Sequence, residues 1–289
     1  MTSRGQKADR LLIISPRAGS MNESIEARLR EEYSDHAIIE FDPKVDFEKL
    51  IKPDARVVVA GGDGTIEFVV RKLADTKHPV GILPMGTYNN LAHALHLPTE
   101  LGHAIEVTRK GRPTSITLGR VNGHVFIEAC AVGLFGDAIV LGESAKDLAF
   151  GGLAEKLRHV IQAKPFHYEL NRDLNGQGTA MSLVFSNTAS IGSKLPVSDA
   201  SPTDPYLEFS ADAGRTRGDI VGRVIASAVG REPPEEPPDL LLRFRTLDIK
   251  TRPRARVYAD NKLVGRTPAT VTAEVSAVKV MLPPDGDRK

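Results

Sequence analysis

The sequence predicts an α/β protein in which a nucleotide-type α/β domain precedes a mostly β domain. Over residues 1–110, short apolar runs alternate with helical patterns, as in a parallel sheet covered by helices. After Gly111 the runs are joined by hairpin signals such as Asn122-Gly123, which is the texture of antiparallel pairing. The length agrees, since 289 residues leave room for two domains, here divided at 1–110 and 111–289.

The elements follow in order. Residues 11–14, Leu-Leu-Ile-Ile, read as a buried strand, and residues 20–33 as a helix with a polar face. Residues 37–41 form a second strand. Residues 56–60, Arg-Val-Val-Val-Ala, form a third, continuously apolar and β-branched as parallel strands covered on both faces are. Residues 65–74 suit a helix, with Ile66, Val69, Val70 and Leu73 at helical spacing. A fourth strand at 80–83 stops at Pro84, and a helix over 89–96 ends at Leu97-Pro98. In the second half, residues 116–121, 124–130, 166–170 and 180–186 read as strands. One long helical segment, residues 138–163, interrupts them, and short strands return over 240–281.

Composition excludes several classes. Lys and Arg number 38 against 37 for Asp and Glu, a formal net charge of +1. That balance argues against a nucleic-acid partner, which calls for a basic surface. It averages an acidic, proline-rich loop at 231–239 with a basic run of Arg243, Arg245, Lys250, Arg252, Arg254 and Arg256. The single cysteine, Cys130, allows no intramolecular disulfide, in keeping with a reducing compartment. The N-terminus leads into only four apolar residues, too few for a secretory signal. No run approaches the roughly 20 apolar residues that span a bilayer. The expectation is a soluble, cytoplasmic protein that meets a membrane only peripherally.

The most informative stretch is Gly61-Gly62-Asp63-Gly64-Thr65, directly between the third strand and its helix. Glycines let a ligand approach the backbone, and a helix N-terminus offers N–H groups and partial positive charge to a phosphate. Asp63 repels a bare phosphate, so it suggests a metal–nucleotide ligand; Thr65 either caps the helix or donates to a phosphate oxygen. A tight turn without any ligand is the alternative. No P-loop, no Gly-x-Gly-x-x-Gly fingerprint, no zincin helix and no nucleophile elbow occurs.

The turn, with its strand, and the segment Pro84-Met85-Gly86-Thr87-Tyr88-Asn89-Asn90-Leu91-Ala92 about twenty residues later together resemble the diacylglycerol kinase catalytic-domain family. That family includes bacterial lipid kinases and the sphingosine and ceramide kinases. Residues 15–19, Ser-Pro-Arg-Ala-Gly, look like its Asn-Pro-x-Ser-Gly loop, with Ser15 and Ala18 as departures. The resemblance implies an N-terminal three-layer α/β nucleotide-binding domain, a C-terminal sandwich-like β domain carrying lipid, and an active site in the cleft between them.

It also implies roles. ATP phosphates are received by Gly61, Gly62, Asp63, Gly64, Thr65 and Glu67, with Thr87 and Asn89 from the next loop and Ser15 and Arg17 lining the same pocket. Arg17 is alternatively a solvated charge, and Asn89 and Asn90 alternatively helix caps. Mg²⁺ and a base for the acceptor hydroxyl are expected. Asp63 and Asp260 are the candidate catalytic carboxylates. The family's Asp-Gly-Glu turn carries the base on its Glu; here Asp260-Asn261-Lys262 stands there, and a protonated lysine accepts no proton. Residues 201–206 resemble the family's structural metal segment, with Asp204 retained as candidate ligand and Pro205 in place of Gly. Glu67-Phe68 replaces the usual Asn-Glu, and Phe68 either strips a polar group from the cleft or packs into the core. The amphipathic segment 138–163 either covers the β domain or rests on an anionic bilayer.

These residues point to an ATP- and Mg²⁺-dependent lipid kinase acting on a diacylglycerol- or sphingoid-type hydroxyl. The rivals are a catalytically impaired relative that binds nucleotide or lipid as a regulator, and an enzyme like NAD kinase, which also uses a Gly-Gly-Asp-Gly-Thr turn.

Overall fold

The computed structural model describes residues 7–146, 153–192, 195–212, 216–228, 231 and 241–284. In chain order the elements are β1 Ala8–Ile14, α1 Glu23–Glu32, β2 Ala37–Glu40, β3 Ile51–Gly61, α2 Asp63–Lys72, β4 Pro79–Pro84, α3 Asn90–Ala94 and α4 Leu101–Lys110. Then come β5 Arg112–Val121, β6 His124–Phe126, β7 Ala129–Gly133, α5 Leu134–Lys146, α6 Leu153–Gln162, β8 Phe166–Arg172, β9 Gly176–Ala180 and β10 Ser182–Ser186. Two short strands, β11 Ser190–Ile191 and β12 Leu195–Pro196, precede β13 Leu207–Ala211 and α7 Arg217–Ala228. The chain closes with β14 Leu242–Phe244, β15 Thr246–Arg252, β16 Arg256–Ala259, β17 Lys262–Arg266 and β18 Ala269–Leu282. The α/β class read from the sequence holds, with a parallel N-terminal sheet and antiparallel strands after it.

Two compact units are present, residues 1–116 with 276–289, and residues 117–275. The expected division at 110/111 does not contain this return of the C-terminus. β18 is the reason: its second half lies parallel to β4, with Lys279 opposite Pro79 and Val280 opposite Val80. Its buried Val278, Val280, Met281 and Leu282 supply the apolar edge that the sheet would otherwise expose.

In the first unit the strand order is β2-β1-β3-β4-β18, all parallel. Leu12, Ile14, Val58, Ala60, Leu83 and Met85 share one face and pack with Leu29 and Tyr33 near α1 and with Ala104 and Ile105 of α4. Alternate residues Leu11, Ile13, Val57, Val59 and Ile82 are buried as well. Burial of both faces is why these strands read as unbroken apolar runs. The helix expected over 89–96 is shorter, because Asn89 is left-handed (φ 52°) and His96 (φ 53°) also leaves helical space.

In the second unit a six-stranded antiparallel sheet runs β14-β13-β10-β7-β16-β17. Its residues alternate between two cores. Cys130, Val132, Leu183, Phe185, Val257 and Ala259 face a cluster with Phe166, Leu170, Leu247, Ile249 and Val271 from β8, β15 and β18. Ala129, Ala131, Val184 and Tyr258 face a second cluster with Phe135 and Leu141 of α5, Val160 of α6 and Val224 of α7. The long helical segment expected at 138–163 is thus two helices, α5 and α6, and it covers the β sheet; residues 147–152, with Leu148 and Phe150, lie outside the described residues. The loop expected at 231–239 lies outside them too, except Arg231. Among the described residues no helix is long and apolar enough to cross a membrane.

Candidate functional site

Adjacent parallel strands end together, so the chain segments that leave β1, β3 and β4 meet at one sheet edge. Ile14 is opposite Ala60 and Gly61 opposite Pro84, which sets Ser15, Gly62 and Met85 side by side. Backbone bonds knit them: Ser15 N–H donates to Ala60 O at 2.8 Å, Met85 N–H to Gly61 O at 2.8 Å, and Ser20 N–H to Met85 O at 3.1 Å. Carboxyl ends of parallel strands are where α/β sheets bind ligands.

The turn itself is built from glycine for steric reasons. A Cβ on Gly61 would stand 2.8 Å from Thr65 Cβ and 3.3 Å from Ser15 Cβ. On Gly86 it would stand 2.9 Å from Asn89 Oδ1 and 3.0 Å from both Asp63 Oδ2 and Gly62 Cα. Gly64 differs: it is exposed, and a Cβ there would meet nothing within 4 Å. The turn is therefore closed on its inner side and open over Gly64. Gly62 is the N-cap of α2, so no side chain caps that helix, and the Thr65 and Ile66 N–H groups both donate to Gly62 O at 3.0 Å. Thr65 is buried beneath the turn.

Asp63 bridges to the neighbouring loop. Its carboxylate accepts the backbone N–H of Asn89 at 3.0 Å and of Asn90 at 2.6 Å. Asn89 in turn accepts from Gly86 N–H at 2.8 Å through Oδ1 and donates from Nδ2 to Gly86 O at 3.1 Å. This pair of side chains locks the glycine turn to the segment carrying Thr87. Thr87 is exposed, with Oγ1 3.2 Å from the place a Cβ would take on Gly19, so the loop after β1 reaches it as well.

Residues 10–121 match the model of the diacylglycerol kinase catalytic domain. The match covers the whole of this loop cluster and bears out the resemblance carried by the two motifs. A diacylglycerol kinase of Staphylococcus epidermidis is 25% identical over 236 residues, 79% of this chain and 74% of that protein. One from Staphylococcus saprophyticus is 40% identical over 79 residues, 27% of this chain and 26% of its own length. The crystal structure of a diacylglycerol kinase from Bacillus anthracis superposes with a TM-score of 0.69 at 17% identity, covering 97% of this chain and 99% of that one. An NAD kinase from Archaeoglobus fulgidus, solved with ATP, gives a TM-score of 0.59 at 14% identity, covering 96% and 95%. At these identities the two structures speak for the fold.

Within the residues that match that model, Ser15, Gly61, Gly62, Asp63, Gly64, Thr65, Thr87 and Asn89 are thus gathered at one edge. Arg17 is exposed on the loop after β1. Glu67 pairs with Arg71 one helical turn on, Oε2 to Nη2 at 2.9 Å. Phe68 packs edge-on against Phe41, ring centroids 5.3 Å apart, which gives it a packing role.

Asp204 and Asp260 belong to the second unit. Asp204 closes its own loop, accepting Ser201 N–H at 3.0 Å through Oδ2 while its carbonyl accepts the Thr117 hydroxyl at 2.5 Å. Among the described residues no group of three or more His, Cys, Asp or Glu is placed to hold a metal. Asp260 sits with φ 51° at the β16–β17 hairpin. Its carboxylate accepts three backbone N–H groups, from Ile127 at 2.9 Å, Glu128 at 2.8 Å and Ala129 at 3.1 Å. The sequence gives no sign of this brace, because its partners lie more than 130 residues away. Lys262, at the first position of β17, is exposed. Nearby, Cys130 is fully buried, and burial, then the Asp260 charge, push its thiol well above the usual range.

Proposed function

We propose that the chain is an ATP-dependent lipid kinase of the diacylglycerol kinase type. The observation that carries the reading is the Asp63–Asn89 lock, which braces a glycine turn that is open over Gly64 at the head of an uncapped helix. Such a turn takes phosphate by backbone N–H groups and the helix dipole. In the reaction the acceptor hydroxyl oxygen bonds to the γ-phosphorus, the bond from that phosphorus to the β,γ-bridging oxygen breaks, and ADP leaves. The hydroxyl proton passes to a base.

The residues assigned to the nucleotide are Ser15, Arg17, Gly61, Gly62, Asp63, Gly64, Thr65, Glu67, Thr87 and Asn89. Gly64 lets the phosphates approach the chain, Gly61 and Gly62 keep the turn tight beneath them, Thr87 contacts the nucleotide, and Asp63 keeps the two loops in register. Mg²⁺ fits here only as a nucleotide-borne ion, since it takes one or two carboxylates plus phosphate oxygens and water, and Asp63 is the carboxylate of this edge. It would supply charge neutralisation at the phosphates. Asp204 remains the proposed ligand of a structural cation, and Asp260 the proposed catalytic carboxylate of the second unit.

The second reading is a catalytically impaired relative that binds nucleotide or lipid as a regulator. What favours it is Asp260, bound by three N–H groups, beside an exposed Lys262 where the family carries its base. One experiment separates the readings: transfer of labelled γ-phosphate from ATP–Mg²⁺ to mixed micelles of diacylglycerol or sphingosine, with NAD as a further acceptor. Lipid labelling supports the kinase. ATP binding by calorimetry without labelling supports the regulator, labelling of NAD alone supports the NAD kinase-like enzyme, and failure to bind ATP removes both kinases and leaves only a lipid-binding regulator.

A further inference from the structure

The first unit contains a cavity of about 640 Å³ between α3, α4 and the residues that follow β18, lined by none of the residues assigned to the nucleotide. Its polar lining is His93, His96, His103, Glu106 and Lys110; its apolar lining is Leu97, Pro98, Val107, Pro283 and Pro284. The return of β18 shapes it. α4 ends so close to that strand that a Cβ on Gly111 would stand 2.5 Å from Val107 O and 2.7 Å from Leu282 O. Leu97 and Pro283 are buried, which fixes the apolar side of the cavity in the folded chain.

His96 is the unusual residue of this lining. Leu97 N–H donates to Ala92 O at 2.8 Å and His96 N–H to His93 O at 3.0 Å, the paired bonds that close a helix through a left-handed residue. Glycine ordinarily takes that position, because a side chain there strains the backbone. Here a histidine stands at φ 53°. Such strain is retained where the side chain has a use, and this one lines the cavity. Among the described residues the His93 and His96 rings have no hydrogen bond or ion pair. No group of three or more His, Cys, Asp or Glu among those residues is placed to hold a metal, so a metal does not account for them.

The chemistry of the lining selects the ligand. Each imidazole carries an N–H donor in either protonation state, and Lys110 adds a cation. The opposing charge, Glu106, is bound to Lys110 at 3.0 Å with both side chains more than half exposed, a weak pair that a ligand opens at little cost. Three prolines and three imidazoles offer flat, rigid faces, which suit a planar ring in offset or edge-on contact better than a flexible chain. A single lysine suits one negative charge, where a phosphate would call for several charged donors. The volume lies within the range of small-molecule sites.

We infer that the His96–Lys110 cavity binds a small aromatic carboxylate, its ring among the prolines and imidazoles and its carboxylate on Lys110 and the His93 and His96 N–H groups. The inference is independent of the kinase reading, since binding is read without nucleotide. The chain has no tryptophan, so indole emission reports a bound indole directly. The full chain is titrated with indole-3-acetate by fluorescence, and with benzoate and 4-hydroxyphenylacetate by calorimetry. Octanoate lacks the ring and 3-methylindole the charge, and each should bind about tenfold or more weakly than indole-3-acetate. His96→Gly should weaken indole-3-acetate binding about tenfold while the melting temperature holds or rises, because the left-handed strain is relieved. Lys110→Gln should weaken it likewise, and Lys44→Gln, exposed between β2 and β3, should not. Glu106→Gln frees Lys110 and should tighten binding. Equal binding of octanoate would overturn the ring. Equal binding of 3-methylindole, tighter binding of phenyl phosphate, or a loss in Glu106→Gln would overturn the carboxylate. Unchanged binding in His96→Gly and Lys110→Gln would overturn the site, and no binding of any of the three aromatic acids up to about 10 mM would overturn the whole inference.

Discussion

The Asp63 carboxylate accepts the backbone N–H of Asn89 at 3.0 Å, joining two loops that follow different strands of one sheet. The same carboxylate takes Asn90 N–H at 2.6 Å, and Asn89 spends its own side chain on Gly86. A charge that a sequence reader assigns to a metal–nucleotide ligand is therefore also an internal brace, and the two uses predict different consequences.

Asp63→Ala leaves two backbone N–H groups without an acceptor. We expect a loss of about 2 kcal/mol in stability to urea, together with loss of ATP binding by calorimetry. An unchanged unfolding midpoint with lost ATP binding would show Asp63 to be a ligand group alone.

Gly86→Ala and Gly64→Ala should part company. The methyl group at 86 has Asn89 Oδ1, Asp63 Oδ2 and Gly62 Cα within 3.0 Å, so the lock must open. Destabilisation of about 1–3 kcal/mol is expected for forcing extra volume into a packed site. The methyl group at 64 meets nothing within 4 Å, so the melting temperature should hold; under the kinase reading, which brings the phosphates to that side of the turn, ATP affinity falls. Equal ATP affinity in Gly64→Ala and the parent chain would remove phosphate from the turn.

Asp260 and Lys262 make a pair of opposite tests. Asp260→Ala deprives Ile127, Glu128 and Ala129 N–H groups of their acceptor and should lower stability by about 2 kcal/mol or more, whatever it does to activity. Lys262 is exposed, so Lys262→Glu should fold like the parent. Under the kinase reading it raises label transfer to lipid, by about 10²-fold if it supplies a general base. No gain in the label assay would count against a base at that position.

His36 gives a pH test confined to the first unit. Burial pulls its imidazole below the usual histidine range, against the opposing pull of Asp35. The unfolded chain therefore binds the proton first, at about pH 6.5. This contribution to stability is present in full above that pH and declines as pH falls below it. Thermal midpoints measured at about pH 7.5 and 5.5 should drop more for the parent than for His36→Gln, which cannot titrate there. Parallel drops in the two proteins would assign the acid sensitivity to other groups.

Much of the first unit was legible in the sequence for a local reason. Strands buried on both faces must be continuously apolar, and a strand-to-helix turn that approaches its neighbour must be glycine, so 56–65 and 80–92 carry their structure in neighbouring residues. The rest depends on distant partners. The apolar end of β18 reads as one more strand of a β domain until β4 is seen to lie parallel to it. Arg254 reads as a member of a basic run until the fold brings it around one cavity with Arg266 and Lys164.

The sequence by itself determined the α/β class and the paired glycine and Gly-Thr-Tyr-Asn-Asn motifs that follow β3 and β4 of one sheet. Each of these follows from local patterning, apolar period and turn chemistry, which a chain displays within a few residues. Only the tertiary structure decided that Asp63 braces Asn89, that Asp260 holds a chain segment more than 130 residues away, and that the C-terminus returns to the first sheet. A carboxylate carries no mark of which N–H groups will reach it. That depends on which backbone donors folding brings within about 3 Å, and no sequence spacing encodes it.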